Sequence, residues 1–438
     1  MVTGLTHLHV HSHYSLGEGV ASPAELAQAA QADGLSALAL TDHHRLTGAV
    51  EFVEACHHAA GVRPILGLAL DVAPPAAFWQ VGHVLPVVLL ATNLSGWASL
   101  CQLSTAAQQT ENLCVTLEQL AQDAAGLLCL TGGVNSLLTR LVQTHQSQLA
   151  GKWLGLLRDI FYDRLYVELQ RHSPADESAL PELSALARAQ AVVTVATHSI
   201  YYLRPEQEQT QRLLTAIRRV QPLSTLAGED VAPPRAHWLS IAELNTQFAD
   251  YPEAIAATAE IADRCQFQLP LGQPHYPQVV VPAGQTALEV LREKAYAGAQ
   301  REYGEITTVI HDRLEHELNV IGARGYAPLF LIMEDVLGYA RETGVPMSSR
   351  GSAASSLVAH CLGLTEIPAW KPPASAVGML RKGGRREAPN PALKFVTLLC
   401  IMTSCRLSLC VLTKVTRPCW SAFAASMAVA EPRQFGWA

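Results

Sequence analysis

The stretch HLHVHSHYSL, residues 7 to 16, places histidine at positions 7, 9, 11 and 13. In an extended strand alternate side chains share a face, so these four imidazoles are expected to line up opposite Leu8 and Val10. Neutral imidazole is the commonest protein ligand for zinc and similar cations. A polar strand end with a chance run of histidine is the plainer alternative, and the neighbouring residues weigh against it. Glu18 follows in a GEG turn, and LTDHH supplies Asp42, His43 and His44 at the end of the next apolar run. Imidazoles and carboxylates at the ends of successive strand–helix units converge on one mouth, which is how a multinuclear metal site is built. Two or three metals held close together suit phosphate-ester cleavage, because they activate a water and stabilise the leaving oxygen.

The elements that must position these residues follow from hydrophobic patterning. Strand-like runs occur near 5–12, 36–42, 64–70, 84–92, 126–131, 164–170 and 192–198, with helical stretches between them. The first helix is predicted to open at SPAE, with Ser22 as N-cap, Pro23 at the first helical position and Glu25 closing a capping box. Gly34 is its predicted stop. Seven strands, each followed by a helix, predict an α/β fold: a seven-stranded parallel (βα) barrel over residues 1–218, its histidines at a strand's C-terminal end. Residues 219–285 contain Pro222, Pro233, Pro234, Pro270, Pro274, Pro277 and Pro282 and predict a linker with one short helix near 252–264. A mainly helical region is expected over 286–367, and residues 368–438 form a tail.

At 438 residues, 49% hydrophobic and 16% charged, the chain supports large buried cores and is not a disordered polymer. It opens on no charged segment followed by an apolar run, so no secretory leader is expected. No apolar stretch reaches the ~18 residues that span a bilayer; the closest, from Phe395 onward, is broken by Arg406. Ten cysteines without regular spacing read as reduced thiols of a cytoplasmic protein. The net charge of −7 conceals an asymmetry, because residues 371–438 carry ten Lys/Arg against two Asp/Glu and no aspartate. A basic tail can bind nucleic acid. This one lacks helical periodicity and caps, and is expected to be an unrelated, disordered or out-of-frame extension.

The run HLHVHSHYSLGEG…LALTDHHRLTGAVEF…RPILG resembles the polymerase and histidinol phosphatase (PHP) domain, in the version that opens bacterial DNA polymerase III alpha subunits and related error-prone polymerases. RLEHELNVIGARGYAPLFLIMEDVLGYARETGVPMSSRGSAASSLVAHCLGLTEI resembles the start of that family's palm domain. Together the resemblance runs from about residue 5 to residue 367. It implies metal ligands at His9 and His11 (the family's H-x-H), at Glu18, at His43 and, in place of a fourth-strand histidine, at His83. Other family ligands are replaced: Ala69 stands for a glutamate, Gly133 for a cysteine or histidine, and Ser199 and Tyr201 for a final D-x-H. The resemblance therefore implies a single zinc, manganese or magnesium ion at His9, His11, Glu18 and His43. The barrel is then a structural platform more than a proofreading nuclease. His198 is expected to cap or face solvent rather than ligate.

SSRGSAASS, residues 348–356, precedes an apolar helix. Gly351 lets backbone approach a phosphate, Ser352 donates a hydroxyl, Arg350 offers a fork of donors, and the helix N-terminus adds unpaired N–H groups. An ordinary N-cap reads the same way. In the family setting, Arg350, Gly351 and Ser352 imply binding of the incoming nucleotide's triphosphate. The palm of that family then carries paired aspartates that hold magnesium for nucleotidyl transfer, yet no aspartate follows Ile367. The expectation is an amino-terminal fragment of a DNA-directed DNA polymerase alpha subunit, not competent alone. The intact family implies DNA, dNTPs, magnesium and replisome subunits as partners, and no membrane. A stand-alone PHP phosphoesterase and a non-catalytic replisome scaffold are the alternatives.

Overall fold

In the computed structural model the described residues are 5–59, 61–80, 85–228, 231–272, 276–346 and 355–365. The first helix starts as its sequence dictates. Ser22 Oγ accepts from the Glu25 N–H, and the Glu25 carboxylate accepts from the Ser22 N–H, opening α1 (Pro23–Ala32). Seven strands follow: β1 (Ala37–Leu40), β2 (Arg63–Ala73), β3 (Leu85–Ala91), β4 (Cys114–Thr116), β5 (Leu127–Leu130), β6 (Leu165–Leu169) and β7 (Val193–Ala196). Their order in the sheet is β1-β2-β3-β5-β6-β7, with β4 paired to β2. Helices α2 (Ala49–His58), α3 (Leu94–Gln108), α4 (Leu117–Gln122), α5 (Leu137–Gln143), α6 (Ser147–Phe161), α7 (Pro174–Ala189) and α8 (Glu208–Arg219) connect and extend them.

Two expectations about the sheet are corrected. It is mixed, because β3 runs antiparallel to both β2 and β5. The β2–β3 connection holds one short turn of 3₁₀ helix, Ala76–Phe78, among its described residues; a parallel return needs a crossover of a dozen or more residues. The first segment is not a regular strand. It bridges both edges of the sheet, His7 to Leu38 beside β1 and Val10 to Ile200 beyond β7, and so closes the barrel. Its backbone bonds run from Ala39 N–H to the His7 carbonyl and from Ile200 N–H to the His9 carbonyl, both at 3.0 Å.

Side chains alternate along the strands as a pleat requires. Ala37, Ala39, Ile65, Ala69, Val88, Leu90, Leu128, Leu130, Tyr166 and Val195 fill the barrel. Their neighbours Leu38, Leu40, Leu66, Leu68, Val87, Leu89, Val167 and Leu169 face the helices. Residues 219–270, predicted as linker, belong to this first compact unit. In α9 (Ile241–Gln247) and the turn after it, Leu244 and Phe248 enter the outer core. In α10 (Pro252–Arg264), Ala257, Ile261 and Ala262 join the inner core. Arg63, at the start of β2, donates to the Ala262 and Cys265 carbonyls, so α10 plugs the end where the parallel strands begin. Pro222 precedes a turn of 3₁₀ helix and Pro252 starts α10.

A second unit begins at Leu271. It comprises α11 (Ala287–Tyr303), α12 (Thr308–Ala323), α13 (Ala327–Glu342) and α14 (Leu357–Cys361) around a core of Leu291, Ala295, Leu314, Leu318 and Val358. Glu317 caps α14, accepting from Ser356 Oγ at 2.7 Å and the Val358 N–H at 3.1 Å. No helix among the described residues is long and apolar enough to cross a membrane.

Candidate functional site

The mouth where the parallel strands end gathers the polar residues. The loop after His11 is shaped by Asp42, a buried carboxylate that accepts from the Ser12 N–H (2.7 Å), Ser12 Oγ (2.8 Å) and Ser15 Oγ (2.7 Å). Burial raises the Asp42 pKa against these bonds. Gly19 lets the returning chain lie against the Ser12 carbonyl, where a Cβ would collide. The folded-back loop aims Glu18 inward. Asp42 thus organises the site, a role its T-D-H setting did not announce.

The four alternating histidines do not share a face. Leu8 joins the inner core and Val10 the outer one, with a bend at His9 between them, so the alternation breaks there. His7 leaves the group. Its Nε2 lies 2.9 Å from the Leu239 carbonyl and its ring packs on Trp238; burial lowers its pKa to about 4. His13 is exposed. His9 turns into the mouth, with Nδ1 3.0 Å from Glu168 Oε1 and 3.2 Å from Gln170 Nε2. His11 sets Nδ1 3.1 Å from Ser15 Oγ and stacks on Tyr201 at 4.2 Å. Its buried Nε2 has no hydrogen-bond partner, and burial, aided by His9, pulls its pKa well below the ordinary value.

His43 lies between two carboxylates. Its Nδ1 is 3.2 Å from both Glu18 oxygens, and its Nε2 is 3.3 Å from Asp71 Oδ1. Burial disfavours the imidazolium, but Glu18 and Asp71 together outweigh it and raise the His43 pKa to about 10. Burial would raise Glu18, yet His43 and Arg218 hold it at about 2; Arg218 Nη1 lies 2.7 Å from Glu18 Oε1. Asp71 is likewise held below the usual carboxylate range, burial being overcome by His43 and His44. Among the described residues, His43, His44 and Asp71 are the one group offering three ligand atoms within 4.8 Å of one another. His9, His11, Glu18 and His43 share the mouth without converging in that way. His83, Arg350, Gly351 and Ser352 lie outside the described residues.

The residues present do not fit a centre of two or three metals. Ala69 pairs with His43 through backbone and offers no ligand. At Gly133 a Cβ would collide with the Gln170 amide, which occupies that space and accepts from the Val134 N–H. Gln170 also donates to Thr197 Oγ1 and Ser199 Oγ, both at 2.9 Å. Glu168, fully buried, accepts from the Gly132 N–H (2.6 Å) and Thr197 Oγ1 (2.7 Å) besides facing His9. His198 is buried and does not face solvent as expected: Nε2 meets the Arg235 and His237 carbonyls at 3.1 and 3.0 Å, and the ring stacks on His172. The mouth's hydrogen bonds engage Glu168 and Gln170, while the Nε2 atoms of His11, His43 and His44 stay without a hydrogen-bond partner.

Comparison with known proteins places two family models on the chain. Residues 7–172 match the PHP domain, and residues 289–377 match the bacterial DNA polymerase III alpha NTPase domain, running past the predicted limit at 367. The chain is 32% identical over 387 residues to an error-prone DNA polymerase of Symbiobacterium thermophilum, covering 83% of this chain and 34% of that one. It is 32% identical over 374 residues to a DNA polymerase III subunit alpha of Treponema pallidum, covering 82% of this chain and 32% of that one. For the DNA polymerase III subunit alpha of Bacillus subtilis the identity is 29% over 362 residues, with coverage of 82% and 32%. The chain spans about a third of the length of these relatives.

Proposed function

The chain belongs to the family of bacterial DNA polymerase III alpha subunits and error-prone DNA polymerases, and from that premise we propose that its PHP barrel is a rigid platform within a DNA-directed DNA polymerase, not a phosphoesterase. The family activity is template-directed DNA synthesis, which takes DNA, dNTPs and magnesium and works beside other replisome subunits in the cytoplasm. In this reading residues 286–367 begin the polymerase palm, and Arg350, Gly351 and Ser352 hold the nucleotide triphosphate.

One observation carries the platform reading. Arg218 sits 2.7 Å from Glu18, so a protein cation already compensates a carboxylate that metals would otherwise share. Hydrolysis at such a mouth needs a metal-activated water and a second cation on the leaving oxygen. Ala69, Gly133, Ser199 and Tyr201 supply neither the charge nor the ligands for that pair. His9, His11, Glu18 and His43 are then parts of a hydrogen-bonded brace that fixes the loop 11–19 against the ends of β1 and β6. The test offers the purified protein a generic phosphomonoester and 3′-ended single-stranded DNA, with manganese or zinc. No turnover above buffer is expected. Metal-dependent release of phosphate or nucleotide that disappears in His9→Gln and His11→Gln would overturn it.

A further inference from the structure

We propose that His43, His44 and Asp71 form a mononuclear site for a zinc-class divalent cation on the rim of the barrel mouth, built from two adjacent imidazoles and the last inward carboxylate of β2. Successive residues of an extended chain point to opposite faces. His43 and His44 escape that rule because His44 takes φ +60°, a left-handed conformation that a side chain larger than glycine adopts at a cost. Three hydrogen bonds hold it there. The His44 N–H donates to the Ala69 carbonyl at 2.8 Å, and Ser104 Oγ and Gln108 Nε2 donate to the His44 carbonyl at 2.8 and 3.2 Å. The turn brings both rings to one side, stacked at 3.8 Å.

Both Nε2 atoms then converge on one carboxylate. His43 Nε2 lies 3.3 Å from Asp71 Oδ1 and His44 Nε2 lies 3.1 Å from Asp71 Oδ2, and neither nitrogen makes an aligned hydrogen bond. Tetrahedral zinc with bonds of about 2.0–2.1 Å sets its ligand atoms about 3.3 Å apart, close to the two nitrogen–oxygen distances here, and all three ligand atoms lie within 4.8 Å of one another. The outer shell is also in place. Glu18 accepts from His43 Nδ1, so a cation at Nε2 displaces only the proton that faces Asp71, and Arg218 anchors Glu18 in turn. Ala69 and Asp71 share the inward face of β2, so the carboxylate lies about 7 Å along the strand from the alanine that cannot ligate.

The test titrates zinc into the chelator-stripped full chain against a chromophoric competitor, with cobalt as the spectroscopic probe. One equivalent of zinc is expected, with a visible cobalt band from nitrogen ligation. His44→Gln and the isosteric Asp71→Asn should each weaken zinc by about 10-fold or more and erase the band, with circular dichroism unchanged. His9→Gln should leave both intact. No zinc bound by the parent chain, full affinity in both His44→Gln and Asp71→Asn, or loss in His9→Gln equal to theirs would overturn the proposal. Because no turnover is read, this result is separable from the platform reading, which only hydrolysis at the mouth would defeat.

Discussion

Replacing Glu168 by alanine removes the buried acceptor on which one side of the mouth is hung. The carboxylate is fully buried, accepts from the Gly132 N–H and Thr197 Oγ1, and lies 3.0 Å from His9 Nδ1. Each buried donor left without a partner costs about 1–3 kcal/mol, and here the Gly132 N–H and Thr197 Oγ1 both lose theirs. Glu168→Ala should therefore lose about 2–6 kcal/mol of barrel stability. Glu168→Gln, which keeps the volume and one accepting oxygen, should lose about 1.5–3 kcal/mol. Urea unfolding followed by tryptophan fluorescence reads the difference, since Trp153 is buried in the barrel's outer core. At about 3 kcal/mol per molar urea, the alanine variant's midpoint should fall by about 0.7–2 M. A double-mutant cycle with His9→Ala should show a coupling of about 0.5–3 kcal/mol. A midpoint equal to the parent's, or strictly additive effects, would refute the claim that these side chains brace each other.

Three further outcomes are expected. Ile261→Ala, which hollows the plug helix α10 at a fully buried position, should destabilise the barrel by about 2–5 kcal/mol in the same unfolding assay; a neutral result would return residues 252–264 to a linker. His7 and His172 are buried with pKa values lowered by burial to about 4 and about 3, so between those values and the ordinary 6.5 the unfolded chain binds more protons than the folded one. Their stability is present above pH 6.5 and lost as pH falls, about 3 kcal/mol for His7 by pH 4, and replacing His7 should flatten that slope of unfolding free energy against pH. Primer extension by the 438-residue polypeptide with magnesium and all four dNTPs should give no product, since no aspartate follows Ile367 to hold the metals; extended primer would show that other carboxylates serve.

Much of the barrel was legible because its strands are short apolar runs bounded by turn residues. Six of the seven expected runs overlap strands, from β1 at 37–40 to β7 at 193–196. β4, three residues long, carries too little pattern to be seen. The direction of β3 and the packing of residues 231–270 depend on contacts across the fold, and proline frequency alone cannot distinguish a linker from turns between docked helices. The histidine run drew attention to the right segment, but the bend at His9 sorts its members by environment rather than by parity. Asp71 carried a readable signal, two residues beyond Ala69 on the same strand face. Glu168 carried another, a lone charge within LYVEL at an inward position. Arg218 gave none, because 200 residues separate it from Glu18 and only the closed barrel brings them together.

As a platform, the barrel mouth is braced by its own side chains and holds no pair of catalytic metals. Anomalous-difference density from crystals grown with manganese or zinc tests it directly. No peak is expected between His9, His11 and Glu18, and at most one beside His43, His44 and Asp71. Two or more peaks about 3.5–4 Å apart in the mouth would contradict it.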